Sequence, residues 1–203
     1  MTPLEKKCLY YAEKLHSEVV YGGGLVMLDQ VKGTTELVAK NSALAPEDKE
    51  VAVCAALLHK SWETKRIAEG VSPLTNADVA HIAGPKVAAV VAELATEPES
   101  EDKSKEDQWK EKAEWAKTLS PAAQEILLAE KIMNFRVSRD KPNMKKPLAW
   151  HAEYFKTRML MVEALKDVNP ALYREAVQTQ TEGLDKINAL QAAIAQKREN
   201  ILQ

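Results

Sequence analysis

The segment VAVCAALLHKSWETK (residues 51–65) decides the fold of this 203-residue chain. Its first eight residues are all apolar, and a run of this length and composition predicts an α-helix that is buried on nearly all sides. The run ends on His59, Lys60 and Glu63, polar groups that are costly at the mouth of a buried helix unless they are paired or used. Either the histidine and lysine satisfy the last carbonyl groups of the helix, or these side chains belong to a functional site.

The composition limits the classes of partner that we expect. The chain has 28 Lys and Arg against 30 Asp and Glu, and its net charge of −2 provides no general attraction to nucleic acid or to an anionic membrane. No apolar stretch approaches the length of a membrane span, and no signal-peptide core is present. Cys8 and Cys54 lie on apolar helical faces, which predicts buried free thiols. We therefore expect a cytoplasmic protein with no nucleic-acid and no membrane partner.

Start signals and apolar spacing predict helices along the whole chain. Thr2, Pro3 and Glu5 form a capping sequence that begins a first helix ending at about Val20. The other helices are predicted at about residues 28–41, from 46 into the opening segment, 76–84, 86–96, 106–119, 121–138, 149–167 and from 170 onward. Residues 22–24 (GGG) and 97–105 are predicted loops, and no strand pattern appears. The fold class is predicted to be all-α.

The last helix has a different pattern from the others. Ile187, Leu190, Ile194 and Ile201 follow a spacing close to that of a coiled coil, but Lys197 interrupts it. Such a helix packs on its own domain, or it contacts a protein partner or a second copy. We predict a helical domain at residues 1–180 and a helical extension at residues 181–203.

A second buried helix also carries polar residues. Within AAQEILLAEKIMNFRVS (residues 122–138), Glu130 and Asn134 are four positions apart and are therefore predicted to lie on one helix face. A carboxylate that faces a core histidine such as His59 is either a structural hydrogen-bonded pair or part of a metal site. The local pattern leaves both alternatives open.

Several segments resemble one family in the correct order. AALLHKSWET (residues 55–64) resembles the AALLHD-x-x-ED segment of HD-superfamily phosphohydrolases, in the RelA/SpoT branch that hydrolyses (p)ppGpp. LLAEKIMNFR (residues 127–136) is similar to the second signature of that branch, KLADR-x-x-N-x-R, and IAGPKV (residues 82–87) matches the F-G-x-x-V turn between them. AEYFKTRMLMVEAL (residues 152–165) resembles the end of the stand-alone small alarmone hydrolases. Over about residues 4–180, the resemblance implies an HD-domain-like helical bundle with a long C-terminal helix.

The resemblance also implies an incomplete metal site. Family members hold one Mn²⁺ with two histidines and two aspartates, and only the remnant positions His59 and Glu130 keep a suitable donor here. Lys60 stands where the aspartate of the HD pair is expected. No histidine occurs at residues 28–35, where the resemblance places the first one, and Asp29 is the side chain that would have to substitute. We therefore expect no metal, and we expect the Lys60 ammonium to pair with Glu130 or Glu63 in place of the ion.

Other positions of the family pattern are retained or lost individually. Glu63 keeps the first half of the Glu-Asp pair that positions the attacking water in the family, whereas Thr64 replaces the second half. Glycines at residues 22–24 stand in the region of the family's basic R-x-K loop. Asn134 and Tyr154 match residues that hold the nucleotide. The candidate ligand-binding residues are Lys60, Lys65, Arg66, Asn134, Arg136 and Tyr154.

These features predict a catalytically degenerate HD-domain protein that binds a nucleotide or a protein. The expected ligand is a guanine nucleotide or another phosphorylated small molecule. The alternative is an active nucleotide (alarmone) phosphohydrolase with a metal-independent site, in which Lys60 acts as electrophile or proton donor and Glu63 or Glu130 as base. A third reading is an assembly module that uses the helix from Ile187 to Ile201. The sequence leaves open whether any catalytic activity remains.

Overall fold

The chain folds into a helical bundle in the computed structural model, which describes residues 1–21, 24–63, 67–98, 102–143 and 145–202. Within these ranges the helices are α1 (Pro3–His16), α2 (Met27–Asn41), α3 (Pro46–Leu58), α4 (Asn76–Ala83), α5 (Pro85–Leu94), α6 (Lys105–Lys117), α7 (Pro121–Asp140), α8 (Leu148–Ala164) and α9 (Pro170–Leu202). Two short strands, β1 (Val20–Tyr21) and β2 (Leu25–Val26), form a small antiparallel ribbon between α1 and α2. The predicted all-α class is confirmed, because each strand has only two residues.

Helix starts lie where the capping signals predict them. The Thr2 hydroxyl accepts a hydrogen bond from the Glu5 backbone N–H at 3.2 Å, and the Glu5 carboxylate accepts one from the Thr2 N–H at 2.8 Å. Thr75 and Asp78 make the same reciprocal pair at the start of α4. Each box satisfies N–H groups that the first helical turn leaves without partners, which fixes the register of the helix that follows.

The predicted end of the first helix was wrong. Helix α1 stops at His16, and the segment predicted to continue it to Val20 instead pairs with β2, with Val20 opposite Val26. Gly24, directly before β2, has a φ of +83°, a conformation that glycine adopts without steric cost. Two-residue strands are too short to show an alternating pattern in sequence. Gly22 and Gly23 lie outside the described residues.

The predicted burial of the opening segment is confirmed. Every side chain of α3 from Ala52 to Leu58 is buried, and the helix packs against α1, α2, α5 and α7. Helix α7 is similarly enclosed by α2, α3, α5, α8 and α9. Cys8 and Cys54 are buried and free, as predicted, and meet where α1 packs on α3. The two central helices thus place their polar residues inside the bundle.

The last helix is continuous from residue 170 to 202. Its first part packs on α7 and α8, and Ile187 is still buried in the core. Beyond Leu190 the described side chains are exposed, and Ile194 is 44% exposed. Contact of this end with a partner or a second copy stays a prediction, as does the domain division at residue 180. Across the described ranges, no helix is both long enough and apolar enough to cross a membrane.

The packing around α9 can be tested by comparing Gly183 in α9 with Gly33 in α2. A Cβ atom at Gly183 would overlap the ring of Phe155, which is fully buried and packs on Phe135 with 5.5 Å between ring centroids. At Gly33 it would instead overlap the flexible end of the Met133 side chain. Because overpacking a rigid core costs about 1–3 kcal/mol and removing a helical glycine returns about 0.5–1 kcal/mol, Gly183→Ala should lower the free energy of unfolding by roughly 1 kcal/mol.

Urea unfolding measures this change, and Gly33→Ala is the matched control. The free energy of unfolding of the control should equal or slightly exceed that of the wild-type protein, because a methionine side chain can move aside. A Gly183→Ala protein as stable as the control would contradict the close packing of α9 on α8.

Candidate functional site

His59 lies directly after α3, at the position that ends the buried helix. Its Nδ1 is 2.6 Å from the carbonyl oxygen of Ala56. A carbonyl only accepts hydrogen bonds, so Nδ1 carries the proton and Nε2 carries the lone pair. Burial, followed by the charge of Lys60, lowers the pKa of His59 from 6.5 to about 4, so the ring is neutral at pH 7. The first sequence-based explanation, a histidine that satisfies a late helix carbonyl, therefore holds for Nδ1, whereas Nε2 has no hydrogen-bond partner among the described residues.

Lys60 connects the end of α3 to α7. Its Nζ lies 2.8 Å from Glu63 Oε1 and 3.5 Å from Glu130 Oε1. Burial by itself would lower the pKa of Lys60, but the two carboxylates outweigh this effect and raise it. The ammonium is therefore charged at pH 7. The predicted pairing of Lys60 with these carboxylates is confirmed for both of them.

The polar face of α7 lies against this ion pair. Asn134 Nδ2 is 3.4 Å from Glu130 Oε1, which confirms that the two residues stack on one face of the helix. Lys131 Nζ approaches the same oxygen at 3.8 Å. Gln30 of α2 donates a hydrogen bond to Asn134 Oδ1 at 2.7 Å and extends the network to a third helix. One carboxylate oxygen thus attracts two ammonium groups and an amide.

Gln30 was missed by the sequence analysis, which considered Asp29 as the side chain of this region. Asp29 is exposed on α2, whereas Gln30 is 2% exposed and directed toward α7. The periodicity of α2 contained the signal, because Gln30 shares the buried stripe of Met27, Val31 and Thr34. Only charged and imidazole donors had been considered as replacements for a histidine.

The other candidate ligand-binding residues have partners outside the Lys60 network or fall outside the described ranges. Arg136 forms an ion pair with Glu175 of α9. Tyr154 lies beneath the guanidinium of Arg158, whose Cζ is 3.5 Å from the ring centroid. Thr64, Lys65 and Arg66 fall outside the described residues. Ligand binding by Lys60, Asn134, Arg136 and Tyr154 stays a prediction.

A second group that the sequence did not indicate lies beside Lys131. The indole ring of Trp109 has three cationic groups around it: Lys131 Nζ at 5.3 Å, Lys112 Nζ at 5.4 Å and Arg158 Cζ at 4.7 Å from the ring centroid. Trp109 is 9% exposed. These residues come from α6, α7 and α8, separated in sequence, so no local motif contains them.

The donor set does not fit the Mn²⁺ that the resemblance implies. The lone pair of His59 Nε2 and the carboxylate of Glu130 are suitable donors, but the Lys60 ammonium stands beside Glu130. A unit charge about 4 Å from another of like sign costs about 4 kcal/mol at an effective dielectric constant of 20, and the cost doubles for a divalent ion. In the described ranges, no group of three or more His, Cys, Asp and Glu residues is placed to hold an ion.

A separate cavity of about 320 Å³ lies between the N-terminal ends of α3 and α7 and helix α5. Its lining includes Val51, Lys86 and Pro121, and none of the predicted site residues. Instead, the predicted residues Glu63, Glu130 and Asn134 are linked by contacts around Lys60, and this polar network is the candidate functional site.

Comparison with known proteins identifies the fold. No protein-family model and no curated protein matches the sequence. Among solved structures, the chain is similar to a metazoan ortholog of SpoT that is described as hydrolysing ppGpp and playing a role in starvation responses. The two structures superpose with a TM-score of 0.72 at 21% sequence identity, over 91% of this chain and 98% of the other. The chain therefore shares the helical fold of this SpoT ortholog, in agreement with the helical bundle that the sequence resemblance predicted.

The ion pair around Lys60 should contribute strongly to stability. Lys60→Met leaves Glu63 and Glu130 close together without their shared cation, and breaking a buried pair of this kind costs about 3 kcal/mol of unfolding free energy. Lys110→Met is the control, because Lys110 pairs with Glu106 at 2.7 Å on the exposed surface of α6. The control should cost less than about 1 kcal/mol in urea unfolding. Equal losses in the two variants would contradict a buried ion pair.

The neutral state of His59 predicts a loss of stability in acid. Its folded pKa of about 4 lies below the ordinary value of 6.5, so the unfolded chain binds the proton more readily. The stabilising contribution is complete above pH 6.5 and declines by as much as about 3 kcal/mol as the pH falls to 4. His59→Gln should show a correspondingly smaller decline when urea unfolding is measured from pH 4 to 7. Parallel pH profiles for the two proteins would refute a depressed pKa at this ring.

Proposed function

We propose that this chain is a catalytically degenerate HD-type domain that binds a guanine nucleotide of the ppGpp class in the cytoplasm without metal-dependent hydrolysis. The observation that carries the proposal is the Lys60 ammonium, held by Glu63 and Glu130 at the place where the resemblance expects a metal. The ligand class is proposed because the structurally similar metazoan protein is described as hydrolysing ppGpp. The two buried free thiols accord with a reducing compartment.

An ammonium group supplies positive charge, as a metal ion does, but it does not supply the chemistry of the metal. A bound divalent metal lowers the pKa of a coordinated water to near 7 and thereby generates a nucleophile at neutral pH. The lysine has no empty coordination position and can only donate hydrogen bonds. It pairs with Glu130 and Glu63 and offsets part of their charge, which helps to keep the site folded, but it leaves no activated hydroxide for attack on a phosphate.

The contacts of Lys60 also weigh against the alternative of a metal-independent hydrolase. A general acid works best with a pKa near the ambient pH, whereas the carboxylates raise the pKa of Lys60 above its ordinary value of 10.5. Glu63 and Glu130 are in turn bound by this ammonium, which weakens each of them as a base. One feature still favours the alternative: the neutral His59 presents Nε2 without a partner among the described residues. Turnover measurements decide between the two.

Isothermal titration calorimetry with ppGpp and with GDP tests the proposal. We expect each nucleotide to bind with an affinity that differs less than about threefold between a solution with EDTA and one with added Mn²⁺. The reason is that the proposed site holds no metal, either with or without the nucleotide. Chromatography of the same mixtures should show intact nucleotide. Stoichiometric Mn²⁺ in the purified protein, or ppGpp turnover that EDTA abolishes, would overturn the proposal. Turnover that survives EDTA and is lost in Lys60→Ala would establish the alternative.

A gain-of-function variant gives a matched comparison. Lys60→Asp removes the ammonium and adds a carboxylate next to His59 and Glu130, so Mn²⁺ binding should become measurable by calorimetry where the wild-type protein shows none. Lys110→Asp, on the exposed surface of α6, should leave Mn²⁺ binding unchanged. Equal Mn²⁺ affinity in the wild-type and Lys60→Asp proteins would show that residue 60 does not control the metal site.

A further inference from the structure

The cationic side chains around Trp109 carry more positive charge than the carboxylates among their described neighbours neutralise. We name Trp109, Lys112, Lys131, Tyr154 and Arg158 the Trp109 cluster. Lys112 has a close carboxylate, Glu97 Oε1 at 2.7 Å. Among the described residues, the carboxylate oxygen within 4 Å of Lys131 Nζ is Glu130 Oε1 at 3.8 Å, an oxygen that Lys60 approaches more closely at 3.5 Å.

Arg158 is the least compensated member of the cluster. Its hydrogen bonds go to the Tyr154 carbonyl at 3.4 Å and to Thr157 Oγ1 at 3.3 Å, both long for a guanidinium. It makes no ion pair within the described part of the chain, although the charge of Glu97 acts on it from farther away. Burial lowers its pKa, but an arginine stays charged at pH 7. A guanidinium that is partly buried against Tyr154 and Trp109 retains donors that a planar oxyanion group can satisfy.

Cation–π attraction does not explain why these charges converge. A cation over an aromatic ring gains a modest attraction, but Lys112, Lys131 and Arg158 all approach the same indole and repel one another. An anion between Lys131 and Arg158 would remove this repulsion and complete the donors of the guanidinium. Tyr154 and Arg158 are only partly buried, so a solute can reach the cluster at these two side chains, whereas Lys131 is 4% exposed.

We infer that Lys131 and Arg158, positioned over Trp109, bind a phosphate or pyrophosphate group of the ligand. The inference rests on the proposed function for the identity of that ligand, because Lys131 shares the Glu130 carboxylate with Lys60 and thus joins the cluster to the candidate site. Arg158 contributes a planar fork that matches two phosphate oxygens, and Lys131 contributes a compact charge beneath them. Nucleotide specificity then depends on the number of phosphates as well as on the base.

The probe is inorganic pyrophosphate, with GDP as the nucleotide, titrated into the full chain by calorimetry. Lys131→Met and Arg158→Gln should each weaken pyrophosphate binding at least about tenfold, since a hydrogen bond to a charged group contributes on this scale. Lys110→Met removes the same charge from the exposed face of α6 and should change the affinity less than twofold. An equal loss in all three variants would overturn the inference in favour of a general charge effect.

A second measurement covers the case in which a variant does not fold. Pyrophosphate should change the tryptophan fluorescence of the wild-type protein, and Trp109→Phe should abolish that change while binding persists in calorimetry. A fluorescence change that remains in Trp109→Phe would place the anion at another tryptophan and overturn the inference.

The two proposals fail in distinguishable ways. If GDP and ppGpp bind the wild-type, Lys131→Met and Arg158→Gln proteins equally well, the phosphate subsite is wrong and the proposed nucleotide binding stands. If neither nucleotide binds but pyrophosphate binds with the predicted dependence on Lys131 and Arg158, the subsite stands and the nucleotide is wrong. If the wild-type protein binds neither pyrophosphate nor nucleotide, both are overturned.

Discussion

The contact between the Lys60 ammonium and the carboxylates of Glu63 and Glu130 is the constraint on which the rest of the site depends. Each charged group is expensive to bury alone, and the expense is offset only when opposite charges meet at hydrogen-bonding distance. Because Lys60 follows α3 and Glu130 lies within α7, the ion pair fixes the end of one central helix against the middle of another. The positions of Asn134 and Gln30 follow from it, since Glu130 Oε1 orients the amide that Gln30 then contacts.

Because the two central helices are buried, the polar groups at the end of α3 need partners within the protein. Helix α3 is buried along Ala52–Leu58 and ends inside the core at His59, where the final carbonyl groups still need donors. His59 provides one through Nδ1 and remains neutral, which places an uncharged ring beside the ion pair. Trp62 Nε1 then donates to the His59 carbonyl at 3.1 Å and continues the turn. The backbone carbonyl groups at the end of α3 are therefore satisfied by side chains in and beside the candidate site.

The sequence predicted the features that depend on local pattern or on charge. The helix caps at Thr2 and Thr75, the burial of α3 and the pairing of Lys60 all follow from neighbouring residues or from the need to neutralise a buried cation. The hairpin at β1 and β2 was missed because two-residue strands have no period. Gln30 was missed because its amide is polar without being charged, and the convergence on Trp109 because its members lie on three helices whose packing no local pattern specifies.

Charge balance explains how such a site can stay folded if, as proposed, it binds no metal. In the hydrolases that the sequence resembles, two histidines and two aspartates surround Mn²⁺, so the ion and its ligands together are neutral. Lysine in place of one aspartate changes the charge of the ligand set by two units, the same charge that Mn²⁺ supplies. Gln30, His59, Lys60 and Glu130 are therefore neutral as a group without any ion. In the proposed function, Lys60 therefore takes the place of both a ligand and the charge of the ion, and the site keeps its charge balance without a Lewis acid.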